Sequence, residues 1–243
     1  MKKGFVITLV LGMMLTSSVL AAGKFSLSGD DLSFDMENNI GIAKGHVVLE
    51  QDGAVAKSDY AQFNNKERTG YMKGNVVADR DGYHLTAGTM TVHDDNHMSA
   101  SENVVLVRDG RTVKAALLDY YKREQKAVAT NGPALLIDTD GSTVEADSIS
   151  HSRISGLVTA TGNVKIKSPV RKLTASADQA VYRTTGTENG NYLELTGNAV
   201  ATQDGNTVRG NKLKLNNARV ASAEGRVSID FFPTEKAGEV KKS

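Results

Sequence analysis

Apolar and polar positions alternate with period two along most of the chain, and the alternation restarts at a recurring anchor, usually Gly, followed two positions later by Val or Ala. The anchors are Gly45-His46-Val47, Gly74-Asn75-Val76, Glu102-Asn103-Val104, Gly132-Pro133-Ala134, Gly162-Asn163-Val164, Gly197-Asn198-Ala199 and Gly225-Arg226-Val227. Their successive spacings of 29, 28, 30, 30, 35 and 28 residues mark an internal repeat. Two positions after the anchors sit Val47, Val76, Val104, Ala134, Val164, Ala199 and Val227. Four positions after them sit Leu49, Ala78, Leu106, Leu136, Ile166, Ala201 and Ile229. Residues two apart share one face of a strand, so each frame predicts a strand with one apolar face.

Seven or eight residues after five of the anchors comes a turn pair: Asp52-Gly53, Asp81-Gly82, Asp109-Gly110, Asp140-Gly141 and Asp204-Gly205. Ser168-Pro169 takes that place in the fifth frame. Asp-Gly between alternating runs predicts a hairpin, because Gly accepts the positive φ of a type I′ turn. Past the turn runs a second apolar pattern: Leu85, Ala87 and Met90; Val113, Ala115 and Leu118; Val144, Ala146 and Ile149; Val208, Gly210 and Leu213. Each unit is therefore predicted as two antiparallel strands. A lone first strand over 25–35 and a lone last one over 220–231 bring the total to about 14. Asn64-Asn65, Asp94-Asp95-Asn96 and Asn216-Asn217 supply the turns between units. The long spacing is explained by an insertion at 184–190, predicted as a surface loop. No helical periodicity is sustained after the first segment, so the fold class is all-β.

That first segment is different. Lys2-Lys3, the apolar run FVITLVLGMMLTSSVL over 5–20, and then Ala21-Ala22-Gly23 follow the order of a secretory signal peptide, residues 1–22, cleaved after Ala21 or Ala22. The other reading is an uncleaved membrane anchor. The 243-residue chain has 29 Lys and Arg against 28 Asp and Glu, a net charge of +1. So balanced a charge excludes a strongly basic nucleic-acid binder. Absence of Cys excludes disulfides, thiolate metal sites and a Cys nucleophile. Apolar residues are 40% of the chain but aromatic ones only 5%, so Val, Leu, Ile and Ala must line the interior. The segment 233–243, charged and poor in apolar residues, is predicted to be a disordered tail after a domain spanning 23–232.

Candidate chemistry is sparse. No nucleotide-binding, nucleophile-elbow or zinc-protease motif is present, and no cofactor is implied. His93-Asp94-Asp95-Asn96-His97 offers two imidazoles and two carboxylates for a divalent ion or a hydrolase, but reads equally as a polar turn. Asp30-Asp31 reads as solvated turn residues rather than an acid/base pair. Lys165, Lys167, Arg171 and Lys172 crowd one hairpin, where they are either a solvated end or a contact for anionic head groups. The repeat is far too long for a calcium-binding β-roll. No catalytic residue and no metal ligand is assigned.

TGNVKI over 161–166 and LTGNAVATQDGNTVRGNKLKL over 195–215 resemble the OstA-like repeats of the LptA family of lipopolysaccharide-transport periplasmic bridge proteins; GHVVLEQDG over 45–53 and GNVVADRDG over 74–82 fit the same pattern. The resemblance covers about 24–232. It implies a twisted open antiparallel β-jellyroll whose interior holds lipopolysaccharide acyl chains. It also implies head-to-tail self-association through terminal strands, with inner- and outer-membrane lipopolysaccharide-transport proteins at the ends of the bridge. The expected lipid-binding interior is Val47, Leu49, Val76, Ala78, Val104, Leu106, Leu118, Leu136, Ile149, Val164, Ile166 and Leu213. The expectation is thus a non-enzymatic periplasmic lipid carrier without cofactors. The alternatives are a membrane-anchored LptC-like partner of the same pathway and a structural β-repeat surface protein. Three departures stand out: Glu102 replaces an anchor Gly, Pro133 follows another, and Pro169 displaces a turn Gly. Pro favours edges and bulges, so the fourth unit is predicted to pair imperfectly.

Overall fold

The computed structural model describes residues 25–51, 53–183, 191–216 and 219–231. The signal peptide, the 184–190 insertion, the 233–243 tail, Asp52 and Asn217 lie outside the described residues. Eighteen strands are described: β1 (Phe25–Ser28), β2 (Asp31–Asp35), β3 (Ile40–Gln51), β4 (Ala54–Asn64), β5 (Thr69–Arg80), β6 (Tyr83–Val92), β7 (His97–Arg108), β8 (Arg111–Tyr121), β9 (Lys126–Thr130), β10 (Ala134–Ile137), β11 (Thr143–Ala146), β12 (Ser148–Ser152), β13 (Leu157–Ser168), β14 (Leu173–Arg183), β15 (Tyr192–Gln203), β16 (Asn206–Asn216), β17 (Arg219–Glu224) and β18 (Ser228–Asp230). They form one antiparallel sheet in which most strands pair with the next strand in sequence. The difference from fourteen is four breaks. β1 and β2 both pair with β3, β9 and β10 with β8, β11 and β12 with β13, and β17 and β18 with β16. Two of the breaks fall in the fourth unit, where Asn131-Gly132-Pro133 separates β9 from β10.

Hairpin turns follow the expected chemistry at Asp81-Gly82, Asp109-Gly110 and Asp204-Gly205, whose paired positive φ values (47° and 79°, 48° and 76°, 49° and 85°) are those of type I′ turns. Asp140-Gly141 differs, since only Gly141 has positive φ there. Asp138 N–H donates to the Ser142 carbonyl, closing a longer loop. At Pro169 a 3₁₀ turn, Pro169–Arg171, ends in Lys172 at φ 50°.

The anchors are bulges. Gly74 and Asn75 both sit at positive φ, 79° and 47°, and the same doublet recurs at Gly45-His46, Glu102-Asn103, Gly162-Asn163, Gly197-Asn198 and Gly225-Arg226. Pairing shifts register at these levels, between Lys44 and Val47, Lys73 and Val76, Ser101 and Val104, Thr161 and Val164, and Thr196 and Ala199. A bulge bends its strand. Because the bulges lie at one level across the sheet, they fold it along a line and bring its two halves face to face. Leu27 pairs with Leu49 beyond the bulge, yet it lines the same cleft as Phe34, Phe63 and Val92, which lie on the other side of it.

This arrangement is a β-jellyroll with a single core. Among the described residues, eighteen of the forty buried apolar ones are Ala, so the inner faces approach closely. The large buried rings are Tyr83 and Tyr182 rather than Phe. Arg108 lies 4.1 Å over the Tyr83 ring and also donates to its hydroxyl.

Candidate functional site

The inner face is one apolar cluster running from Ala43 on β3 to Leu215 on β16. Val47, Val76, Ala78, Val104, Leu106, Leu118, Leu136, Ile149, Val164, Ile166 and Leu213 are all buried in it, and Leu49, partly buried, packs against it. The seventh frame does not follow: Val227, just before β18, and Ile229, on β18, are 44% and 48% exposed, because among the described residues β18 pairs only with β16 at the edge of the sheet.

At the N-terminal end the interior opens. A cleft of about 510 Å³ is lined by Leu27, Leu32, Phe34, Ile42, Phe63 and Val92, with Asn39, Asn64, Asn65 and Arg68 among its polar residues. Its volume lies within the about 300–1,000 Å³ of small-ligand pockets. Phe34 pairs across the strands with Gly41, and Phe63 with Gly70, so each ring lies beside a residue without a side chain. Arg68 is held by Asp95 at 2.7 Å. Both ends carry exposed apolar side chains: Leu32, Phe34 and Met36 at one, Val227, Ile229 and Phe231 at the other.

The polar candidates take structural partners. His93 Nε2 lies 2.8 Å from Ser99 Oγ, His97 Nε2 lies 2.7 Å from Asp119 Oδ1, and the His97 ring stacks on both His93 and Tyr121. Asp94 Oδ1 accepts the N–H groups of Asn96 and His97, and these bonds hold its carboxyl below the usual range. The cluster is a turn, and among the described residues no three His, Cys, Asp or Glu form a metal-binding group. Lys165 pairs with Glu145 at 3.1 Å and Lys172 with Asp204 at 3.6 Å, while Lys167 is exposed. Burial lowers the pKa of Arg171. Asp30 faces His46 Nδ1 at 2.8 Å, and that hydrogen bond raises the imidazole pKa. Among the described residues no helix is long and apolar enough to cross a membrane.

Residues 55–219 match the family described as LptA/(LptD N-terminal domain) LPS transport protein, more than half of the chain. The chain belongs to this family. Among solved structures it is similar to LptH, the LptA homologous periplasmic component of the conserved lipopolysaccharide transport device from Pseudomonas aeruginosa. That similarity spans 86% of this chain and 96% of LptH at 9% identity, with a TM-score of 0.18. No curated protein matches the chain. In this member of the family, the sequence pattern located the inner face but missed two features. One is the cleft, whose signal was the Phe-Gly pairing. The other is the residue facing each bulge. Asn75 Nδ2 donates to Asp59 Oδ2, Asn163 to Asp147 and Asn198 to Asp178, at 2.9 to 3.0 Å. Its signal was an Asp fifteen residues ahead of Gly45, Gly74 and Gly162.

Proposed function

We propose that the protein is an exported, non-enzymatic periplasmic carrier that moves lipopolysaccharide toward the outer membrane by sheltering its acyl chains between the two halves of the jellyroll. The observation that carries this reading is the uninterrupted apolar inner face, joined at one end to an open apolar cleft. Each methylene removed from water contributes about 0.8 kcal/mol, so a few chains bind well without any specific polar contact. Over the middle of the fold the inner faces touch, so a chain enters at the cleft and parts them as it advances. The exposed apolar residues at the two ends suit stacking of one copy on the next, head to tail, into a bridge. The inner- and outer-membrane proteins of the same transport pathway take its ends. The mature chain then begins after Ala21 or Ala22.

A photo-crosslinking amino acid placed at Leu106 or Ile166 should capture lipopolysaccharide, whereas one at the outward Lys165 should not. Adducts confined to Lys165 would overturn the interior as the binding site.

A further inference from the structure

One ring nitrogen in the interior lacks a partner. His151 on β12 lies two residues from Ile149, which is 1% exposed, so both point to the inner face. Its cross-strand neighbours, Ala127 and Val158, are buried as well. The same row continues to Tyr120 on β8 and Tyr182 on β14. Nδ1 is enclosed without a hydrogen-bond partner. Burial, helped by the nearby Arg153 charge, lowers the pKa of the ring to about 4, so at pH 7 it holds one N–H and one lone pair. An enclosed, unpaired N–H is costly in apolar surroundings, which places the proton on Nε2 and leaves a lone pair on Nδ1. His151 is also next to the last residue of its strand, at the rim of the inner face, with Arg153 in the adjoining turn.

We infer that His151 is a specificity residue whose Nδ1 accepts a hydrogen bond from a hydroxyl near the carboxyl end of a bound acyl chain. This rests on the acyl-carrying reading above. A chain that has moved from the cleft along the inner face and lies tail inward at β12 leaves its carboxyl-proximal atoms at the rim, beside His151. A plain methylene chain has no donor to offer there, and an ester carbonyl only accepts. A 3-hydroxyacyl chain supplies the missing donor, and its own hydroxyl avoids being buried unpaired. The interior therefore tolerates or prefers 3-hydroxylated chains, which a purely apolar interior would disfavour.

The test is displacement of a fluorescent apolar probe from the purified full domain at pH 7, with dodecanoate and 3-hydroxydodecanoate as competitors. The wild type should bind the hydroxy acid at least as tightly as dodecanoate. In His151→Phe and His151→Leu the hydroxy acid should weaken about fivefold or more relative to dodecanoate. His151→Asn, which keeps an acceptor oxygen near the Nδ1 position, should restore the ratio. If the ratio is the same in the wild type and in whichever apolar variant folds, the inference is overturned while the carrier reading stands. If neither acid displaces the probe from the wild type, the carrier reading falls and takes the inference with it.

Discussion

At Gly74 two demands coincide. Its φ of 79° suits Gly, and a Cβ built there would lie 2.9 Å from the Cβ of Asp59, closer than real side chains approach. Gly162 faces Asp147 and Gly197 faces Asp178 in the same way. The third frame inverts the pair: Glu102 occupies the bulge at φ 67°, and the facing residue is Gly88, where a Cβ would lie 2.6 Å from that of Glu102. One member of each of these pairs must therefore be Gly, and either strand can supply it. Gly74→Glu alone should cost about 2–4 kcal/mol in urea unfolding, through left-handed strain and the collision with Asp59. Adding Asp59→Gly should return part of that loss by recreating the Gly88–Glu102 arrangement. Additive losses in the double variant would show that the two residues do not act as a pair. His151 makes a second demand, on pH. Its folded pKa, about 4, lies below the ordinary 6.5, mainly because the ring is buried. Between these values the unfolded chain binds more protons than the folded one, so stability falls as the pH drops from 6.5 to 4 and the loss is complete below that. The gap corresponds to about 3 kcal/mol as an upper limit, lowered by the water that reaches the ring. Urea midpoints measured from pH 7 to pH 4 should fall more steeply for the wild type than for His151→Phe.

At the scale of elements, period two and the Asp-Gly turns made the long strands legible, because both are local properties of the backbone. The repeat also marked the bulges, since a Gly-Asn doublet between two apolar runs is where two left-handed residues fit. The breaks were legible only where Pro announced them, as at Pro133; that between β11 and β12 falls at Asp147, which faces a bulge on the neighbouring strand, and no local signal separates it from the other Asp residues. The Asp partners escaped for the same reason. Their distance ahead of the glycine varies from 15 residues at Asp59 to 19 at Asp178, where the insertion intervenes, so only the fold aligns them. Apolar periodicity identified which residues of β3 to β16 face inward. It could not tell that the interior is closed along its middle and open at the N-terminal end, since that depends on which strands lie last in the sheet. Leu32 and Phe34 alternate as Leu85 and Ala87 do, but among the described residues they have no covering neighbour.

Seen as a whole molecule, the sheet has two unlike edges. Among the described residues the outermost strands, β1 with β2 and β17 with β18, each pair on one side only, with β3 and β16 respectively. None of β1, β2, β17 and β18 contains Pro, and each edge presents exposed apolar residues, Leu32 and Phe34 on one and Ile229 and Phe231 on the other. Strand addition at such edges supplies main-chain hydrogen bonds and covers those side chains. Because the edges differ, joining one to the other produces an open filament, whereas joining like to like stops at a dimer. The proposed bridge requires the first, and two blocked variants separate the cases. Leu32→Lys places a charge on the first edge and Ile229→Lys on the last, each at an exposed position that leaves the core untouched. In sedimentation velocity the wild type should form a concentration-dependent series of oligomers, and each variant alone should remain a monomer. An equal mixture should form dimers and nothing larger, since the intact last edge of one variant meets the intact first edge of the other. A like-to-like contact predicts the opposite: one variant would dimerise by itself, and mixing would add nothing.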